Sequence, residues 1–228
     1  MKKKITNKRK IEILDFLKES YFPNFTRVDS STIVKRNEMI LSCLTIDESR
    51  DQTSFQIVRH FHFLVSDADS IRLNVAYRAT SRKGRIPRII NFSSEHSLED
   101  IARKFEEDID SFAILKNDVL LLKNVLLDFD NYFYDKDRCD AQYQAKLYLN
   151  WLLTLARIMN PTDFLNTLES QKSKLSLWPE TAFRRWETYD KWSQQLTELL
   201  EDTLKTDIMI SSSIKKLSIE NIDNYEIN

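Results

Sequence analysis

Between Ser54 and Phe92 the hydrophobic period of the chain changes from the three-and-four spacing of helices to strict alternation. Phe55, Ile57, Arg59, Phe61, Phe63 and Val65 fall on one face of an extended strand, and Gln56, Val58, His60, His62 and Leu64 fall on the other. One face is nearly all apolar and the other is mixed, which predicts a strand with one side on a core. Asp67, Ala68, Asp69 and Ser70 suit a turn. Beyond them Ile71, Leu73, Val75 and Tyr77 alternate with Arg72, Asn74 and Ala76, so the two runs predict a hairpin. Gly84, the single glycine of the chain, falls in the next connection, Thr80 to Ile86. Its tolerance of positive φ suits a second turn before the short apolar segment from Arg88 to Phe92.

That lone glycine also excludes functions. With one glycine and four prolines in 228 residues, neither the phosphate-cradling P-loop nor the dinucleotide fingerprint can be built, since both need several glycines where backbone meets phosphate. A hydrophobic content of 42% and an aromatic content of 11% argue for a packed core instead of disorder. The formal net charge of -1 gives the whole molecule no bias toward nucleic acid or an anionic membrane, so any such role must come from a local patch. Cys43 and Cys139 are far apart and belong to no Cys/His grouping. A disulfide scaffold or structural zinc is therefore not expected, no cofactor is implied, and the cytoplasm is the expected compartment. Lys2, Lys3, Lys4, Lys8, Arg9 and Lys10 resemble the start of a signal peptide, but Glu12, Asp15, Lys18 and Glu19 interrupt what would be its apolar core. No apolar run is long enough for a membrane span, and no membrane partner is expected.

In chain order, Ile11, Leu14, Leu17 and Tyr21 predict an amphipathic helix stopped at Pro23. Thr32 to Arg36 and Met39 to Ile46 predict strands joined at Asn37 and Glu38, giving four or five antiparallel strands up to Phe92, since the connections are too short for parallel crossovers. Ser97 with Asp100 resembles a capping box, and Leu98, Ile101, Phe105, Ile109 and Phe112 form one stripe of a helix expected to cover a sheet face. Val119, Leu122, Leu126 and Phe129 form the next stripe, after Asn117 or Asp118 as cap. The acid-rich stretch from Asp128 to Asp140 is expected to be a link. Leu147, Trp151, Leu155 and Ile158 predict a helix ended by Pro161; Phe164, Leu165 and Leu168 a shorter one; and Phe183 to Leu204 a third. The expected architecture is α+β: an N-terminal helix and a four- or five-stranded antiparallel meander covered by helices in residues 1–130, an all-helical subdomain over 140–205, and a flexible tail over 206–228.

Three constellations carry candidate chemistry. His60 and His62 lie on one strand face, a spacing that suits a shared metal, and with Asp67 and Asp69 they would make a hydrolytic metal site. The bland alternative is a packed or solvated pair, favoured because no further histidine except His96 exists to complete the site. Arg78, Arg82, Lys83, Arg85 and Arg88 concentrate positive charge at an expected hairpin tip, with the N-terminal lysines as a second arm. This patch could hold phosphates or nucleic acid, although a solvated turn that keeps a sheet edge soluble is the favoured account. Trp178, Phe183, Trp186, Tyr189 and Trp192 surround Arg184 and Arg185, and Trp, Tyr and Arg are enriched at the energetic centres of interfaces. Most helical aromatics are core. Yet steps of three drift around a helix of 3.6 residues per turn, so all of these cannot face one groove, and part of the cluster is expected at a partner surface.

Two acidic groups are weaker signals. Asp128, Asp130, Asp135, Asp137 and Asp140 fail the calcium-loop pattern, because Tyr132 and Phe133 stand where an oxygen ligand and a glycine are needed. Glu99, Asp100, Glu106, Glu107, Asp108 and Asp110 could meet a basic partner or a second copy of the chain, against a solvated helix face as the plain alternative. No nucleophile arrangement accompanies the histidines or cysteines. The sequence therefore favours a non-enzymatic intracellular interaction protein or accessory subunit, with nucleic-acid binding and metal-dependent hydrolysis as alternatives. Its richness in Lys, Asn, Ile, Phe and Tyr suits an AT-rich bacterial or phage gene, with a defence or mobile-element system as the setting.

Overall fold

The structure is a computed structural model and describes residues 3–66, 69–71, 76–78, 80–81, 88–107, 109–116, 120, 122–133 and 142–227. The chain is α+β and divides into two compact units, one of Met1–His62, Leu73–Val125 and Asn221–Asn228, the other of Phe63–Arg72 and Leu126–Glu220.

The first unit opens with α1 (Asn7–Tyr21), capped by the Thr6 hydroxyl, which accepts from the Arg9 N–H at 3.1 Å. Its stripe Ile13, Leu14 and Leu17 is fully buried. The sheet then runs β1 (Thr26–Arg27), β2 (Thr32–Asn37), β3 (Ile40–Glu48), β4 (Ser54–Phe63) and β5 (Ala76–Arg78) in sequential order. The turns are local and made without glycine. Glu38, between β2 and β3, has φ 47°, and Gln52, between β3 and β4, has φ 60°, so ordinary residues occupy left-handed positions. Asp51 organises the second turn, accepting from the Ser49 hydroxyl at 2.7 Å and the Thr53 N–H at 3.1 Å.

Two outer positions of this sheet are each shared by two short strands. One edge of β2 pairs with β1 at Thr26↔Val34 and, in parallel, with β9 (Asn224–Tyr225) at Arg36↔Asn224. The outer edge of β4 likewise pairs with β8 (Phe92–Ser93) at Phe55↔Phe92 and with β5 at His60↔Ala76. A separate pair, β6 (Thr80–Ser81) and β7 (Arg88–Ile89), runs antiparallel on either side of residues 82–87. The expected turns at Asp67–Ala68 and at Gly84, and the expected strand residues Arg72 to Val75, lie outside the described residues.

The one-sided strand predicted from alternation is corrected by the structure. Residues of both parities on β2, β3 and β4 are withdrawn from solvent, polar ones included: Lys35, Ser42, Arg59, His60 and His62 are all buried. Burying such groups costs free energy that a hydrogen bond or a π contact offsets, although the Ser42 hydroxyl is buried with no hydrogen bond to a described residue. Lys35 donates to the Leu115 carbonyl at 3.3 Å and stands 5.8 Å from the Phe25 ring centroid and 5.9 Å from that of Tyr225.

The predicted Ser97 helix is also shorter than its stripe. Ser97 caps α2 (Leu98–Glu106) as expected, but Ile109–Phe112 is a 3-10 turn followed by α3 (Ala113–Lys116). Phe105 is the packing hub, with ring centroids 5.3 Å from Tyr21, 6.0 Å from Phe22 and 4.7 Å from Phe112. The acid-rich link begins later than predicted, because α4 (Leu122–Phe133) carries Asp128 and Asp130 within the helix. Asp135, Asp137 and Asp140 lie outside the described residues, as does the predicted cap at Asn117 or Asp118.

In the second unit α5 (Gln142–Ile158) is the central helix, burying Ala145, Leu149, Trp151, Leu152 and Leu155 together with Thr154. Pro161 does stop it, and then occupies the first turn of α6 (Pro161–Leu175), where its missing N–H costs nothing. At 15 residues α6 is longer than its apolar triplet suggested. The single helix predicted from Phe183 to Leu204 is instead a 3-10 turn (Glu180–Phe183), an open turn in which Glu187 has φ 72°, and α7 (Tyr189–Glu201) capped by Thr188. Asp202 ends α7 and caps α8 (Thr203–Lys216), accepting from the Lys205 N–H at 3.0 Å. Residues 206–228, predicted as a flexible tail, thus carry most of α8 and all of β9. Among the described residues no helix is long and apolar enough to cross a membrane.

Candidate binding site in the helical unit

The aromatic cluster separates into a core and a surface part. Phe183 and Trp192 are fully buried, and Phe183 sits at the centre, 6.2 Å from Trp178, 5.4 Å from Tyr189 and 5.7 Å from Trp192 between ring centroids. The Trp192 indole N–H donates to the Ala145 carbonyl of α5 at 3.0 Å, which satisfies its one polar atom inside the core. Burial raises the Tyr189 phenol above its ordinary value. Four of the seven residues predicted at a partner surface, Trp178, Phe183, Tyr189 and Trp192, therefore pack against one another.

The others do not. Arg184 and Arg185 are exposed, and Trp186 is part-exposed. The left-handed residue Glu187 turns the chain between the 3-10 turn and α7, directly after Trp186. The indole N–H donates to the Gln195 side-chain oxygen, and the Arg185 guanidinium lies over the ring, 5.9 Å from its centroid.

Around this pair the surface forms two adjoining hollows. One is an open depression of about 400 Å³ bounded by Arg185, Trp186, Lys191, Gln194, Gln195 and Glu198. The other is a narrower slot of about 150 Å³ that shares Arg185, Trp186 and Gln195 with it. Its remaining walls are Lys146, Leu149 and Asn150 of α5, Leu199 of α7, and Lys205 and Met209 of α8. Each helix contributes a pair one turn apart, Lys146 with Asn150, Gln195 with Leu199, and Lys205 with Met209, because residues four apart share a helix face. The sequence reading missed all of these except Arg185 and Trp186; the available signal was a lysine and an asparagine one turn apart on α5, a helix otherwise apolar almost all round.

The other predicted sites fare differently. His60 and His62 are buried neighbours on β4, and His60 Nε2 lies 2.9 Å from the Thr45 hydroxyl. Asp69 is exposed and Asp67 lies outside the described residues. Among the described residues no group of three or more His, Cys, Asp or Glu side chains is placed to hold a metal ion. Arg82, Lys83 and Arg85 lie outside the described residues, while Arg78 and Arg88 are placed on β5 and β7. The N-terminal arm is partly committed to the fold: Arg9 pairs with Glu12 at 3.0 Å and donates to the His96 carbonyl at 2.6 Å, and Lys10 pairs with Glu48 at 3.0 Å. Of the acidic helix face, Asp100 is engaged by Arg103 and Glu106 accepts from the Tyr21 hydroxyl, a bond that together with burial pushes the phenol up to about 12. Cys43 is buried, and burial pushes its thiol well up, away from the reactive thiolate.

No protein-family model matches the chain, and searches of curated proteins and of solved structures return no match.

Proposed function

We propose that this chain is a non-enzymatic accessory subunit of the cytoplasm that docks another protein on the surface around Arg185 and Trp186. What supports the reading is one contrast within a single cluster. Phe183 and Trp192 are consumed by the core, whereas Trp186, with a cation over its face, stands at the rim of two adjoining hollows. A part-exposed tryptophan beside arginine is the side-chain pair that carries most energy when a surface is buried by a partner. The composition suits a bacterial or phage gene, which makes a defence or mobile-element complex the proposed setting.

The test is photo-crosslinking in the native host with a benzophenone amino acid at exposed Gln194 of the depression, compared with the same label at exposed Leu177 on the chain after α6. A single stoichiometric protein adduct at 194 and none at 177 is expected, and Trp186→Ala should lose that partner in a pull-down while its melting temperature falls by no more than about 4 °C. Retention of every partner by Trp186→Ala would overturn the reading.

A further inference from the structure

We propose that the slot between α5, α7, α8 and the Arg185–Trp186 turn receives the carboxylate side chain of an extended acidic segment of the docked protein. The inference rests on the docking surface proposed above and adds to it the chemistry of what docks.

The lining is electrostatically one-sided. Lys146, Arg185 and Lys205 converge on the slot, Lys146 being engaged already, and among the described residues no carboxylate lines it. Neither the Arg185 guanidinium nor the Lys205 ammonium makes an ion pair with any described residue. Glu198, which accepts from the Gln194 amide at 3.0 Å, lines the depression and not the slot, and Glu187 is paired with Lys191. Two cations left unpaired around one hollow concentrate positive potential where an anion can be held by several donors at once.

Two amides complete the donor set. Asn150 is only 8% exposed, yet its side chain makes no hydrogen bond to any described residue, while its backbone carbonyl accepts from Thr154. The Asn150 amide is still reached from the slot that it lines, so it is free to meet a group that arrives there. Gln195 is oriented by its neighbour: its oxygen accepts from the Trp186 indole, which leaves the amide nitrogen as the group it offers. The slot thus presents guanidinium, ammonium and amide N–H groups together, a set suited to an oxyanion.

Size and surroundings select the kind of anion and its carrier. Leu149, Leu199, Met209 and the Trp186 ring supply apolar wall, which suits methylenes behind the charged head. A volume of about 150 Å³ takes one acidic side chain and falls below the range of a drug-sized ligand pocket. The slot shares Arg185, Trp186 and Gln195 with the open depression, so a chain that places its carboxylate in the slot can cross this rim to the depression. On α8, Leu204 and Ile208 flank Lys205 and Met209 in sequence and are 68% and 60% exposed, offering apolar contact to residues beside the acid.

The experiment selects random linear peptides displayed on phage against the full chain, then measures the best sequence as a fluorescein-labelled peptide by anisotropy. Enriched peptides should carry Glu or Asp next to an apolar residue. Replacing that acid by its amide, or combining Arg185→Glu with Lys205→Glu, should weaken binding by about tenfold or more, as expected for loss of charge-assisted bonds. Asn150→Asp, which places a carboxylate inside the slot, should weaken binding similarly with an unchanged circular dichroism spectrum, whereas Lys216→Glu should stay within about twofold because Lys216, exposed in the last turn of α8, lines neither hollow. No enrichment, enrichment without acids, or equal binding by the charge-reversed chain would overturn the proposal. Competition by free glutarate as strong as by the peptide would overturn the peptide as occupant and make this a small-molecule site. Should the crosslinked partner be lost from Trp186→Ala yet kept by the charge-reversed chain, the docking surface stands and this inference falls; should both variants keep it, both fall.

Discussion

Replacing Trp192 and Trp186 one at a time should separate core from surface within the same aromatic run. Trp192 is fully buried, packs against Phe183 and Tyr189, and donates to the Ala145 carbonyl. Truncation of such a residue to alanine removes its transfer free energy and leaves a cavity that the surrounding helices only partly close, at a cost of ~3–5 kcal/mol. The lost indole bond adds little, since a helical carbonyl at that position retains its place in the ladder of α5. For a chain of this length each kcal/mol lowers the melting temperature by about 2–4 °C, so Trp192→Ala should melt about 6–20 °C lower. Trp186 is part-exposed and its bond goes to the exposed Gln195, a contact worth about 1 kcal/mol or less in water. Trp186→Ala should therefore lose no more than about 4 °C. Far-UV circular dichroism melts of the two variants at one protein concentration decide the matter. Equal losses would refute the partition, because the turn at Glu187 would then be holding Trp186 as core, and the loss of a partner on its removal would mean nothing.

Two further predictions concern the β3–β4 turn. The Ser49 hydroxyl, followed by the Thr53 N–H and hydroxyl, holds the Asp51 carboxyl down to about 2 from an ordinary 3.8, so its stabilising effect is present above the ordinary value and is lost as pH falls from about 4 to about 2. Asp51→Ala should lower the urea midpoint at neutral pH and match the unaltered chain near pH 2; a difference unchanged across that window would refute the assignment. Gln52→Gly should raise stability by up to ~1.5 kcal/mol, because a left-handed non-glycine residue costs ~1–2 kcal/mol while glycine adds ~0.5–1 kcal/mol of unfolded-state entropy. The Ile5 N–H bond to the Gln52 carbonyl at 2.8 Å is backbone and survives the change, so a lower urea midpoint would refute the strain argument.

What the sequence shows of this fold depends on how local the cause is. α1, β2 to β4 and α5 follow from hydrophobic period alone, and Thr6, Ser97, Asn160 and Pro161 set helix starts by short-range hydrogen bonds and fixed φ. The breaks were harder to place because the usual punctuation is missing. A chain with one glycine turns at Glu38, Gln52, Glu187 and Ser218, residues whose propensity gives no warning of positive φ, and it separates α7 from α8 with the single residue Asp202. The apolar drift from Phe183 to Leu204 therefore looked like one helix. β9 is still less visible: two residues gain strand geometry only by meeting β2, and the accompanying bonds from Asn37 to the Glu226 carbonyl at 3.1 Å and from the Glu38 N–H to Asn224 at 2.7 Å span the length of the chain. Local pattern cannot encode such a pairing, although the buried Ile219 and Ile222 just before it were apolar residues in a polar stretch that disorder left unexplained.

The candidate site was half legible for the same reason. Arg185 and Trp186 stand together in sequence, so their chemistry could be seen, but the groups that give the slot its sign come from three helices. Lys146 and Asn150 stood among apolar neighbours on α5 without forming a motif, and Lys205 was the last residue of the expected helical subdomain. Only the folding of α8 back against the unit, through Thr206, which donates to the Leu199 carbonyl at 3.3 Å, and Ser213, which donates to the Ser66 carbonyl at 2.7 Å, brings Lys205 to the slot. The residues that α8 buries fully, Thr206 and Ser213, are small and polar, Met209, Ile210 and Ile214 are half-buried, and Leu204 and Ile208 face solvent, so no clean hydrophobic stripe announces the helix. The hydroxyl-to-carbonyl bonds of Thr206 and Ser213 seat it, and Leu204 and Ile208 are left as an apolar edge beside Lys205. That edge is the part of α8 that the acidic segment, as proposed, would cover.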